Sequence, residues 1–404
     1  MNLDILLLIV FGISLLIFLI TSKKAELEKI AFPFIYMYMY RTKLGLNLMD
    51  KLAKKHPRIL NALGYVSISV GFIGMFTIIF YLLYGAYNFM FMNQPSPIQL
   101  LLPGLVKVPG IPTLSFFHWI IAIFLLAAVH EFSHGVFARL RKIKIKSSGF
   151  AIFGIILPII PAAFVEPDEK KMASSSTKTQ LEVMSAGPFA NIVTAFFTFF
   201  LFALLIAPAA NSTLDYVGVQ VMGFGDDSPL NASGMQLGES IISVKETPVS
   251  GAEEFIKVMG TIGSHERINI QTENFTYSVV TSEHPEDSSR GYLGITVGPS
   301  KEIFKEDLVQ KFGMFPLQAM IWIKILFFWI FMANLGVGLF NLLPITILDG
   351  GRMFYLLLFS ITKDEKKSMK TWKIVSTVLF VIILLLLMPQ FYELFVAPLI
   401  RLFT

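Results

Sequence analysis

Two histidines four residues apart, with a glutamate following the first, stand at the end of an apolar run: His130-Glu131-Phe132-Ser133-His134. On an α-helix, residues four apart lie about 40° apart in rotation and one turn along the axis, so both imidazoles can reach one metal ion. Glu131 falls on the adjacent face, where a carboxylate can hold a water and take its proton once a metal has made that water acidic. The chain has no cysteine, so any metal must be held by histidine and carboxylate. Ionisable groups inside an apolar segment are costly, and three together point to a purpose. The bland alternative is a polar cluster that hydrogen-bonds neighbouring helices.

A catalytic zinc site usually takes three protein ligands and a water. Carboxylates are few within the apolar runs. Asp349, in Leu348-Asp349-Gly350-Gly351, is expected to end the fifth run, with Asn341 and Pro344 upstream of it. Pro344 breaks a helix and the two glycines loosen it further, so an unwound stretch could present Asp349. An aspartate capping a helix end is the alternative. His130 lies nine residues before Arg139, roughly 13 Å from that end of its helix. Both motifs are then in the same half of a membrane, as a shared metal requires.

The elements that must position these groups follow from composition. Apolar residues make up 54% of the 404 and charged ones only 15%, against about a quarter in a soluble domain. Six apolar segments are long enough to span: about 3–21, 63–90, 113–138, 181–207, 325–348 and 374–398. The first has no basic leader and no small-residue cleavage site, so it reads as a retained helix. Lys and Arg concentrate in 22–62, 139–180 and 361–373, which alternating spans place on one side, the cytoplasmic one. The net charge of +5 is therefore orientation charge beside anionic lipid, and no nucleic-acid motif accompanies it.

Three glycosylation sequons, at Asn211, Asn231 and Asn274, all fall in the segment assigned to the outside. Two apolar stretches interrupted by proline, 31–41 and 149–164, read as strand-like or re-entrant pieces on the cytoplasmic side, with interfacial loop as the alternative. Segment 216–298 has short alternating runs and glycine turns, which describe an inserted α+β domain. His118 reads as interfacial, and His56, His265 and His284 as solvated. Lys324 is expected to snorkel to the outer surface.

Taken in order, HEFSH, Gly187-Pro188-Phe189-Ala190-Asn191 and NLLPITILDGG resemble the signatures of the site-2 protease family, over about residues 112–352. Phe164-Val165-Glu166-Pro167 resembles a family segment after the first core helix. The resemblance implies zinc ligands His130, His134 and Asp349, with Glu131 as general base. It further implies that Asn191 faces the site, positioning the substrate backbone or stabilising the oxyanion, and that Asn341 and Pro344 contact the unwound substrate. Thr346 stands where the family often has a second proline, a departure that bears on the local backbone and not on Asp349. From Ser228-Pro229-Leu230 through Gly234 and Gly238 to Ile242, the insert resembles a PDZ domain. Residues 291–295 read as a plain closing strand, or alternatively as a carboxylate-binding loop.

These readings describe a polytopic α-helical membrane protein of about six transmembrane helices with an inserted extracytoplasmic α+β, PDZ-like domain. Its expected parts are 1–111 (first spans and a cytoplasmic or re-entrant segment), 112–210 (first part of the catalytic core), 211–300 (the PDZ-like domain), 301–360 (second part of the core) and 361–404 (last span). The expected activity is that of an intramembrane zinc endopeptidase in a cell membrane, with its site in the cytoplasmic half. Its partners would be a transmembrane protein substrate, membrane lipid and a peptide on the PDZ-like domain. The competing functions are another kind of membrane zincin and a catalytically silent adaptor.

Overall fold

Long apolar runs leave their peptide groups no partner but one another, so they coil into helices. In a computed structural model of the chain, the residues described are 3–21, 25–31, 35–104, 111–155, 157–225, 227–299, 301–397 and 400. They form two units, Met1–Phe202 with Ile325–Thr404, and Ala203–Lys324.

The first unit opens with α1 (Leu3–Thr21), followed by α2 (Leu46–Lys55), α3 (Pro57–Phe91), α4 (Phe116–Leu140), α5 (Glu169–Ala173) and α6 (Thr177–Leu201). A π-turn, Phe202–Ile206, follows α6, and α7 (Ala207–Asn211) belongs to the second unit. Five described helical stretches are long and apolar enough to cross a membrane: Pro57–Phe91, Phe116–Leu140, Thr177–Asn211, Met314–Phe340 and Glu365–Phe391. In α1 the described apolar stretch, Leu3–Phe18, is shorter. Its Asp4 accepts from the Phe116 N–H at 2.8 Å, tying α1 to the start of α4. His118 is buried there, with Nδ1 2.6 Å from the hydroxyl of Ser115 that caps the helix.

Strands β1 (Ala25–Ala31), β2 (Ile35–Thr42), β3 (Ile145–Ile155) and β4 (Leu157–Pro167) form one antiparallel sheet in chain order, with β4 at an edge. Both proline-interrupted stretches are thus strands of a single sheet. Pro33 and Ile156 lie outside the described residues. Arg41 pairs with Gly149 in the register of β2 and β3. A Cβ at Gly149 would stand 2.1 Å from the Tyr40 carbonyl oxygen, so the strands can approach only with glycine there.

Helix packing uses small residues, as expected where no water drives association. Gly64, Ser67, Gly71 and Gly74 line one face of α3. The hydroxyl of Ser67 meets that of Ser185 on α6 at 2.9 Å. Beside them the fully buried Glu182 receives the Arg141 guanidinium through two bonds of 2.5 and 2.7 Å. Removing Arg141 leaves the buried carboxylate with only the exposed Lys178 ammonium, 3.7 Å away, to offset its charge. Arg141→Ala is therefore expected to cost about 3–5 kcal/mol of stability, read as a lower thermal midpoint in detergent.

The second unit carries β5 (Leu214–Val217), β6 (Val219–Phe224), α8 (Pro229–Ala232), β7 (Ser240–Val244), β8 (Thr247–Pro248), α9 (Ala252–Met259), β9 (Arg267–Thr272), β10 (Thr276–Val280), β11 (Ser282–His284), β12 (Asp287–Tyr292), β13 (Ile295–Val297), β14 (Lys301–Phe304) and α10 (Glu306–Phe312). This is the expected α+β insert. Its main sheet runs β10-β9-β7-β6-β13, with β8 on β7. Strand β9 alternates exposed and buried, placing Ile268, Ile270 and Thr272 inward. The two isoleucines pack in a core with Val219, Val221, Leu230 and Phe255. Gly234 and Gly238 take φ values of +89° and +91°, the left-handed turns that their place before β7 suggests. Lys324 reaches the Asn211 side-chain oxygen at 2.8 Å.

Helix α11 (Met314–Phe340) ends earlier than the sequence suggests, and α12 (Asp349–Thr362) and α13 (Glu365–Phe391) follow. Asp349 is not the tail of the fifth span. It heads α12, after a turn over 341–348. Pro344 has no N–H with which to extend α11. The Asn341 carbonyl instead accepts from the Gly350 N–H at 2.8 Å, and that of Leu348 from Gly351 at 3.0 Å. The glycines do not loosen a helix. They let the start of α12 press on the turn, since a Cβ at either would stand 2.0 Å from a carbonyl oxygen, that of Leu342 or Ile345.

Candidate metal centre

Two helices of the first unit bring polar atoms together. Helix α4 offers His130 and His134 on one face, and the first turn of α12 offers Asp349. A carboxylate is favoured there because the helix N-terminus carries partial positive charge. The Nε2 atoms of His130 and His134 are 3.1 Å apart. Asp349 Oδ2 lies 3.1 Å from the first and 3.3 Å from the second. Ligands at about 2.0–2.1 Å around a tetrahedral zinc stand roughly 3.3–3.4 Å from one another, so this triangle is the size of such a site. Two imidazoles and a carboxylate are also a donor set that zinc accepts.

The surroundings fit a metal as well. His134 Nδ1 lies 2.6 Å from the Val183 carbonyl oxygen on α6. A carbonyl can only accept, so a ring proton sits on Nδ1, and in the neutral ring Nε2 keeps a lone pair that could bind a metal. Gly187 forms the wall that α6 turns toward the site. A Cβ there would lie 2.3 Å from His134 Nε2 and 2.7 Å from His130 Nε2.

Glu131 is partly buried, and its Oε2 accepts from the Val165 N–H of β4 at 2.9 Å. The outer edge of the sheet is thereby tied to the residue next to His130. Asn191 is fully buried on α6, with Nδ2 3.1 Å from His130 Nδ1. It stands across the imidazole ring from Nε2. Asn341 and Pro344 lie in the turn before Asp349, Pro344 buried, and the carbonyl of Asn341 holds the Gly350 N–H. The structure therefore brings His130, His134 and Asp349 to one point, with Glu131 and Asn191 beside the first histidine. Asn341 supports the third residue through its carbonyl, and Pro344 is buried in the same turn.

Sequence reading places Gly187 in a signature without giving it a role, and it misses the Val183 carbonyl. The second has no signal, since every residue carries a carbonyl. The place of the first at the head of its signature, beside Pro188 inside α6, does not show what it packs against.

Residues 118–386 match the profile of peptidase family M50. An uncharacterised protein of Methanocaldococcus jannaschii is 29% identical over 323 residues, which cover 77% of this chain and 74% of that protein. Among solved structures, the PDZ domain of the SdrC-like protein of Listeria monocytogenes is 22% identical, covering 20% of this chain and 88% of its own, at a TM-score of 0.19. That of Listeria innocua is 20% identical, covering 20% and 92%, at 0.17. At those scores neither likeness bears on the fold of the insert. The M50 match is of another order, since it spans His130, His134, Asp349 and the helices that carry them: the chain belongs to peptidase family M50 and is a multi-pass membrane metalloprotease.

Proposed function

We propose that the protein is a zinc endopeptidase of the site-2 type, which cuts membrane-spanning helices of other proteins within the cytoplasmic half of the membrane. The observation that carries this reading is the triangle of His130, His134 and Asp349 donors at 3.1–3.3 Å, supplied by a helix of membrane-spanning character and by the helix after another. Basic residues in 22–62, 139–180 and 361–373 support a cytoplasmic orientation for the loops that hold them.

A zinc ion held by these three residues would polarise the scissile carbonyl and acidify a water. Glu131 takes one proton of the attacking water as its oxygen bonds to the carbonyl carbon. It then gives that proton to the amide nitrogen as the C–N bond breaks, so the carboxylate is regenerated. A peptide bond inside a helix is shielded by its own hydrogen bonds, so the substrate must first extend. Strand β4 offers an edge for it: the outward N–H of Val165 points at Glu131, and an extended segment can pair along the same edge. Asn341 and Pro344, in the turn before Asp349, would flank that segment. The insert acts as a PDZ-like, extracytoplasmic domain that binds an extended peptide at a sheet edge, β13 or β10.

The test uses purified protein in detergent with a helical transmembrane substrate. Cleavage is expected, and 1,10-phenanthroline should abolish it. Asp349→Ala should lower bound zinc per protein well below the wild-type ratio. Undiminished zinc in that variant would remove Asp349 from the site. Cleavage that persists after chelation would favour another chemistry, and its absence in the zinc-loaded protein would favour a silent adaptor.

A further inference from the structure

We propose that Asn191 is a positioning residue for the metal centre: its side-chain oxygen accepts a hydrogen bond from Nδ1–H of His130 and so fixes the tautomer that leaves Nε2 free for the metal. The inference rests on the ligand set argued above and assigns Asn191 a place behind the ligand, not in front of the substrate.

Its basis is a conflict in hydrogen bonding. Asn191 Nδ2 faces His130 Nδ1 at 3.1 Å, while Asn191 Oδ1 is buried with no hydrogen-bond partner. An amide nitrogen can only donate. Facing Nδ1, it would require a lone pair there and would move the proton of a neutral ring to Nε2. That proton would point at Asp349 Oδ2 and His134 Nε2, both 3.1 Å away, and a protonated Nε2 cannot bind a metal. Turning the carboxamide by 180° exchanges oxygen and nitrogen with almost no change of shape. The oxygen then meets Nδ1–H. Either orientation leaves one end of the carboxamide without a partner, so His130 sets the choice, and a metal on Nε2 decides it.

Two further contacts agree. His134 already has this arrangement, with the Val183 carbonyl oxygen 2.6 Å from its Nδ1. Helix α6 would thus hold both histidine ligands by carbonyl oxygens, one from the main chain and one from a side chain. Asn191 also has little freedom. Helix α11 presses on it at Gly338, where a Cβ would come within 3.0 Å of the Asn191 Cβ.

The experiment measures zinc affinity of the full-length protein in detergent by competition with chelators of graded strength. Asn191→Asp keeps an acceptor of the same shape, and Asn191→Leu removes it. The aspartate variant is expected to bind zinc within a few-fold of wild type or more tightly. The leucine variant should bind about 10–100-fold more weakly, the usual loss when a histidine ligand loses its outer hydrogen bond. Wild-type affinity in Asn191→Leu, or an equal loss in both variants, would overturn the proposal. A second readout needs no variant. In zinc-loaded, ¹⁵N-histidine-labelled wild type, His130 should carry its proton on Nδ1, and a proton on Nε2 would overturn the proposal too. If instead His130→Ala binds zinc as tightly as wild type, the ligand set itself is wrong.

Discussion

Glu131→Gln is expected to slow peptide-bond cleavage by about 10²–10⁴-fold, the range spanned by positioned general bases, while zinc stays bound at the wild-type ratio. The substitution is well suited to the question because Glu131 has two tasks. One is to move a proton, which a carboxamide cannot do. The other is structural: Oε2 accepts the Val165 N–H at 2.9 Å and anchors the outer strand of the sheet. Glutamine has nearly the same volume and still offers an oxygen to that N–H, so the anchor survives. Glu131→Ala removes both and should also destabilise, by about 1–3 kcal/mol for a buried donor left unmade. Cleavage within threefold of wild type in Glu131→Gln would exclude Glu131 as the base. Loss of zinc in that variant would mean that the residue acts on the ligands instead.

The parts of this site that could be read from the sequence are those set by local spacing. His130 and His134 share a face because four residues make about one turn, wherever the helix lies. The stretches 31–41 and 149–164 read as strand-like or re-entrant because prolines interrupt them, also a local signal, and their described residues lie in β1 to β4. Asp349 could be nominated because carboxylates are rare in apolar segments, but its position was misread. The apolar run continues through Leu342, Leu343 and Ile345, so composition cannot show that α11 stops at Phe340 and that the chain turns before α12. Pro344 shows only that a helix cannot run on regularly past it, and the contacts of Gly350 and Gly351 with the turn, which fix where α12 begins, appear only in the fold.

Helix-to-helix contacts were equally hidden. The α4 and α6 helices are apolar on most sides, so no polar stripe tells which face of α6 meets the histidines. The Val183 carbonyl, Gly187 and the far side of Asn191 all depend on that rotation. Asn191 shows the consequence. Its motif brings it to the site, and only the rotation of α6 puts it beside His130 Nδ1 instead of in front of the metal.

Gly187→Ala is the sharpest test of that rotation. In an isolated helix the change is favourable by about 0.8–1.0 kcal/mol, because alanine loses less backbone freedom than glycine. Propensity therefore predicts a helix at least as stable. The packing predicts the reverse for the site. A methyl at 187 would stand 2.3 Å from one ligand nitrogen and 2.7 Å from the other, closer than any non-bonded carbon and nitrogen can approach. These neighbours cannot yield cheaply. His134 is held by the Val183 carbonyl and His130 is hemmed by Asn191, so relief must come from displacing the Nε2 atoms from Asp349 or moving α6 away. Either course separates the ligands. We expect zinc affinity to fall by more than about 100-fold, beyond the effect of losing an outer hydrogen bond alone, with cleavage lost in parallel and the helical circular dichroism spectrum unchanged. Chelator competition on the purified variant reads the first effect and the transmembrane substrate the second. A Gly187→Ala protein with wild-type zinc affinity would show that α6 does not present this face to the histidines.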